Sequence, residues 1–289
     1  MDHLFMIKIN QDRYAVKTLV FVLLFASSIL TSCFAQQEKP SHRRSTALPN
    51  VIIPDTVFHI EGLNRNRSIR VYLPLSYNDS DDRYPVLYMH DGQNLFDDST
   101  SFVGEWKVDE ALNRVQKKLI VVGIDNGAEK RIHEMAPFDH PKYGHSEGLA
   151  YLNFIVNQVK PFVDEQYRTL SNRENTALMG SSLGGLITHF AAIEYSNIFG
   201  KVAIFSPSYW FSEQLRILEQ EFDHPPDVKM YIIMGGEEGQ QMINPAKEME
   251  AVLKQDLNPK NLYFSIIEKG THSENFWSEE FMDAINFLF

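Results

Sequence analysis

The chain has 289 residues, of which 44% are hydrophobic and 22% charged. Such a chain can bury a sizeable core, and this balance excludes a disordered or low-complexity protein. The formal net charge is −11. An acidic surface repels phosphate backbones, so nucleic acid is excluded as a partner. There is a single cysteine, Cys33, so neither an internal disulfide nor a cysteine-rich zinc site can form.

Read from the start, Lys17 precedes an apolar run over residues 19–30. That length is short for a membrane span and suits the core of a signal peptide. Two cleavage readings stay open. Leu30-Thr31-Ser32-Cys33 has the form of a bacterial lipobox, in which a lipidated Cys33 becomes a membrane tether. Alternatively, the small Ala35 before Gln36 suits ordinary signal peptidase. Either way the expected location is outside the cytoplasm: secreted, periplasmic, or an outer-membrane lipoprotein. Residues 1–35 are then leader, 36–50 a polar, proline-containing linker, and 51–289 one domain.

Within that body, strand and helix patterns alternate. Residues 68–73, 84–90 and 119–124 read as strands, the last two as near-continuous apolar runs. Residues 148–163 carry apolar side chains at helical spacing. A short apolar strand at 176–179 precedes a glycine turn, and 183–195 reads as a helix. Strands follow at 202–205, 230–234 and 262–267, and the chain closes with a helix over 276–289. Buried apolar strands alternating with helices predict a mostly parallel sheet covered on both faces.

The central motif is Gly180-Ser181-Ser182-Leu183-Gly184. It matches G-x-S-x-G, the nucleophile elbow of the α/β-hydrolase fold, and has the required strand before it and helix after it. Ser182 is the predicted nucleophile, at a helix N-terminus that favours developing negative charge. A serine hydroxyl needs a base. In this fold the base follows the last strand, where His272 stands; His224 reads as part of a surface turn and His189 as a packing or surface residue. The acid is expected after the strand at 230–234, as Glu238 or its neighbour Glu237, with Glu238 preferred. Backbone donors for an oxyanion are expected at Leu183 and, on the loop after the strand at 84–90, at Gln93. His90 ends that strand and is a candidate pocket residue. Metal ligation by His90, Asp91 and Asp97 is disfavoured by spacing within one turn, and no cofactor is expected. Only 56 residues separate Ser182 from Glu238, enough for strand, helix and strand but not for a large lid.

These motifs, with Tyr84-Pro85-Val86-Leu87-Tyr88, His90-Asp91-Gly92-Gln93, Ser206-Pro207-Ser208-Tyr209-Trp210 and Gly270-Thr271-His272, resemble the esterase D-like family of α/β-hydrolases. The resemblance spans nearly the whole body. It implies Ser182 and His272 as catalytic and a donor directly after Asp91-Gly92. Within the family, Trp106, Arg131 and Glu134 are similar to the siderophore-esterase branch, which implies a place for them at the substrate. Trp106, Trp210 and Trp277 are further candidates for an aromatic wall, or else for the core. The expected substrate is a small-molecule or polymer-borne ester: an iron-chelator ester, or an acyl or feruloyl ester on polysaccharide. Acyl transfer by the same residues, and a non-catalytic role on the same scaffold, are the alternatives.

Overall fold

The computed structural model describes residues 43–289, so Cys33, the leader and the first part of the linker lie outside the described residues. A short strand and a hairpin come first: β1 (Val51–Ile52), then β2 (Phe58–Ile60) paired with β3 (Arg65–Arg67). The main alternation follows, with β4 (Ile69–Tyr72), β5 (Val86–His90), α1 (Val108–Val115), β6 (Ile120–Ile124) and α2 (Arg131–Glu134). Next come α3 (Gly148–Phe154), α4 (Lys160–Gln166), β7 (Thr176–Ser181), α5 (Leu183–Glu194) and β8 (Lys201–Phe205). The series ends with α6 (Gln214–Gln220), β9 (Lys229–Gly235), α7 (Gln240–Asp256), β10 (Leu262–Ile267) and α8 (Glu274–Leu288).

Eight strands form one sheet in the order β1-β4-β6-β5-β7-β8-β9-β10. The pairs β1–β4 and β4–β6 are antiparallel, and every later pair is parallel. Strand side chains alternate faces, and two cores result. On one face Val86, Tyr88, Val122, Leu178, Val202 and Ile232 pack with Leu152, Leu186, Leu215 and Met249 of the helices. On the other, Leu87, Met89, Val121, Met179, Phe205 and Ile233 pack with Leu112 of α1 and Phe281 and Ile285 of α8. A fully buried aliphatic side chain contributes roughly 1.5–3 kcal/mol, so these strands hold the sheet from both sides.

Helix α5 is apolar all round, and ten of its 12 residues are buried. Such a helix belongs in the interior, and this burial sets the helix that begins at the elbow rigidly against the sheet. The continuous helix expected over 148–163 is interrupted by a π-turn at Ile155–Val159. Pro161 lies two residues beyond the turn. It has no N–H for an acceptor four residues back, and a wider turn absorbs the missing bond.

Candidate active site

The elbow is built by close backbone approach. A side chain at Gly180 would sit 2.6 Å from the Gly184 backbone and 2.7 Å from the His90 ring. Only glycine leaves that space, so β7 can turn sharply into α5. The turn places Ser182 at φ 59° and ψ −121°, a conformation costly for a side-chain-bearing residue. It is held there because the Ser182 N–H donates to the Phe205 carbonyl at 2.9 Å, and its own carbonyl accepts from Ser208 N–H at 3.1 Å.

The structure brings the three expected side chains together in a line. The Ser182 hydroxyl lies 2.9 Å from His272 Nε2, and His272 Nδ1 lies 2.7 Å from Glu238 Oε2. The Glu238 side chain is fully buried, whereas Glu237 is exposed on the same turn, so Glu238 is the carboxylate that faces the imidazole. Its second oxygen accepts from the Gly235 N–H at 2.8 Å and from the Ser206 hydroxyl at 2.5 Å. Trp277 Nε1 in turn donates to Ser206 at 2.9 Å. With these donors the carboxylate is satisfied without solvent, and its charge stays directed at His272. The Trp277 ring also packs edge-on against His272, with centroids 5.0 Å apart.

Gln93 sits in a 3-10 turn, Gly92–Asn94, directly after β5. Its side-chain oxygen accepts from the Asn126 N–H at 3.0 Å, and its carbonyl accepts from Thr100 at 2.8 Å. The turn is anchored one residue earlier. Asp91, in the left-handed region at φ 58°, takes both Nε (2.6 Å) and Nη2 (2.8 Å) of Arg131 and the Asn126 amide at 2.6 Å. Burial works to raise the Asp91 carboxyl, but the Arg131 guanidinium outweighs it and holds the group below the usual carboxylate range. Leu183 is the first residue of α5, where an N–H has no acceptor within the helix.

The remaining candidates divide by burial. Trp210 is 44% exposed, beside Tyr143 and Phe211 and two residues beyond Ser208, whose hydroxyl is 3.3 Å from that of Ser182. Arg131 is partly exposed and engaged with Asp91. The other three expected pocket residues are interior. His90 is buried beneath the elbow, bonded to the Tyr151 hydroxyl at 2.9 Å, and burial pulls its imidazole down to about 4. Trp106 is 3% exposed and stacks on Phe205 behind Trp277. Glu134 is fully buried between Arg65 (3.0 Å) and Arg67 (2.6 Å), which fixes the β3 segment to α2. His90, Trp106 and Glu134 are therefore interior side chains rather than the ligand-facing ones expected.

One further reading changes. His224 is not in an exposed turn: it is buried and bonds Glu219 at 2.8 Å, while His189 bonds the other oxygen of Glu219 at 3.0 Å and Tyr209 at 2.6 Å. His189 is the packing residue expected of it. Burial tends to raise the Glu219 carboxyl, but the two imidazoles outweigh that and bring it down to about 2. Ser206 had no expected role; its only sequence signal is its place in Ser206-Pro207-Ser208 after β8.

The sheet order, the helices on both faces and the elbow after β7 define an α/β-hydrolase fold. The particular family follows from comparison with known proteins. The family model described as "Putative esterase" matches residues 60–288, and the chain belongs to that family. It is 27% identical over 242 residues to an uncharacterized protein of Bacillus subtilis, YbbA, spanning 78% of this chain and 93% of that one. It is 24% identical over 232 residues to an endo-1,4-beta-xylanase/feruloyl esterase of Xylanibacter ruminicola, covering 77% of this chain but 29% of that longer protein. The enterobactin esterase FES of Shigella flexneri shares the fold, with a TM-score of 0.68 and 18% identity over 84% of this chain and 60% of that one. The protein is thus an esterase of the hydrolase class.

Proposed function

We propose that the protein is a serine esterase that cleaves carboxylic esters through an acyl-enzyme. The observation that carries this reading is the unbroken line from Ser182 through His272 to Glu238, at 2.9 and 2.7 Å. His272 takes the Ser182 proton as the hydroxyl oxygen attacks the ester carbonyl. The Gln93 and Leu183 N–H groups receive the developing oxyanion. The imidazolium returns its proton to the leaving alcohol, and water then releases the acyl group by the same steps in reverse order. Glu238 holds the imidazole in the tautomer that accepts at Nε2 and stabilises it when charged. The half-exposed Trp210 offers a flat apolar surface near the nucleophile, which supports an ester of an aromatic acid or a saccharide-linked acyl group.

A fluorophosphonate probe tests the nucleophile. Peptide mass mapping of the labelled, folded protein is expected to show one adduct, on Ser182. An adduct on Ser181 or Ser206, or none, overturns the reading.

We also propose that the protein acts outside the cytoplasm, on the strength of the apolar run over residues 19–30. Mass spectrometry of protein from its own host is expected to show a mature start at Gln36 or a lipidated Cys33. Recovery of an intact Met1 terminus argues against export.

A further inference from the structure

At the start of α1, on the side of the sheet that carries Trp106, three carboxylates converge. Glu105 precedes α1, and Asp109 and Glu110 lie in its first turn. Each offers one oxygen within 4.8 Å of the other two. Glu105 is 8% exposed and Asp109 fully buried. One oxygen each of Glu105 and Asp109 is accounted for: Glu105 Oε2 accepts from the Thr46 hydroxyl at 2.8 Å, and Asp109 Oδ2 from the Leu48 N–H at 2.9 Å. Three others in the cluster are not. Glu105 Oε1, Asp109 Oδ1 and Glu110 Oε2 are all shielded from solvent and have no hydrogen-bond partner among the described residues.

Buried acceptor oxygens without donors need a physical explanation. One proton shared between two carboxylates satisfies one pair of oxygens and leaves the third bare. A single cation satisfies all three at once. Oxygen ligands stand 2.3–2.6 Å from calcium, so two ligands across the ion are at most about 5 Å apart. The observed spread fits that reach. The positive end of α1 opposes a cation there, but it amounts to roughly half an elementary charge, less than that of a single ionised carboxylate.

We propose that Glu105, Asp109 and Glu110 form a calcium-type cation site that ties the segment 45–48 to the start of α1. The same segment is fastened at its other end, where Asp97 accepts from the Ser45 hydroxyl (2.7 Å) and the Thr46 N–H (3.1 Å). The cation neutralises the carboxylates that face each other and leaves Glu105 Oε2 and Asp109 Oδ2 to hold Thr46 and Leu48. Because Trp106 follows Glu105 directly and stacks on Phe205 and near Trp277, the site also braces the wall behind His272. The proposal is independent of the esterase chemistry.

The test uses full-length protein stripped with EDTA and titrated with Tb³⁺, with Trp106 beside the site as the sensitising donor. Saturable terbium emission at one equivalent is expected, displaced by Ca²⁺ at far lower concentration than by Mg²⁺. Ca²⁺ should also raise the thermal midpoint. Glu110→Gln, at the half-exposed rim and away from the triad, should weaken Tb³⁺ binding by about tenfold or more, as expected when one ligand charge is lost. Glu105→Gln should do the same, and both should abolish the calcium-dependent thermal shift. No saturable emission from folded protein overturns the site. So does emission that both variants leave unchanged, or displacement by Mg²⁺ as readily as by Ca²⁺. A thermal midpoint that follows pH but not Ca²⁺ overturns it in favour of a shared proton.

Discussion

Ser182→Ala and His272→Ala are each expected to lower kcat on p-nitrophenyl acetate by ~10³-fold or more, with the fold intact. The geometry supplies the reason. The hydroxyl and the imidazole are already within hydrogen-bond distance, at 2.9 Å, so bond making and proton transfer both depend on that pair. Combining the two changes should cost hardly more than either alone, because residues that act as a unit do not add. Glu238→Ala should cost less than either, since the carboxylate orients and stabilises but does not itself react. That change also strips Ser206 and the Gly235 N–H of their acceptor. Glu238→Gln is the cleaner probe because it keeps the shape and one acceptor. Near-normal turnover of His272→Ala, or a silent Glu238→Ala beside a damaging Glu237→Ala, would redraw the triad. A loss caused by His90→Ala without unfolding would move the base. The burial of His90 beneath the elbow predicts instead that its removal destabilises the fold.

Glu134→Ala is expected to cost about 3–5 kcal/mol of stability, the range for breaking a buried ion pair from one side. Arg67 is only 5% exposed, and truncating Glu134 leaves its guanidinium buried without a counter-charge. Arg65 retains Glu147, at 2.5 and 2.8 Å, so it loses less. Replacing Glu134 and Arg67 together by apolar residues of similar volume should restore most of the loss, because two desolvated charges disappear at once. The midpoint of urea unfolding, read with its slope, measures both. A loss below about 1 kcal/mol for Glu134→Ala would mean that the pair is solvated and contributes as a surface bridge does. kcat of the folded fraction should change little, since Glu134 offers no surface to a ligand.

The amino-acid pattern was enough for most of the architecture. Strands β5 to β10 are apolar runs with clear ends, so local pattern placed them within a residue or two, as it did α5 and α8, whereas α1 and α2 went unread. β1, β2 and β3 went unread because strands of two or three residues carry too little pattern to register. The π-turn was hidden because apolar spacing does not reveal a local change of hydrogen-bond partner.

For the site, chain order in a known topology sufficed to nominate Ser182, Glu238 and His272, because a strand order dictates which loops meet at one edge of the sheet. Their distances, and the choice of Glu238 over Glu237, came only from folding. Neighbouring glutamates are chemically equivalent until the turn after β9 buries one side chain and exposes the other. The same limit explains His90, Trp106 and Glu134. Residue type and motif position suggested a ligand-facing role, but burial is decided by what packs above a residue, and that comes from remote segments: α5 over His90, α8 over Trp106, β3 over Glu134. Ser206 and Trp277 brace the acid 32 and 39 residues away along the chain, and only the tertiary structure brings such distant groups within hydrogen-bond reach.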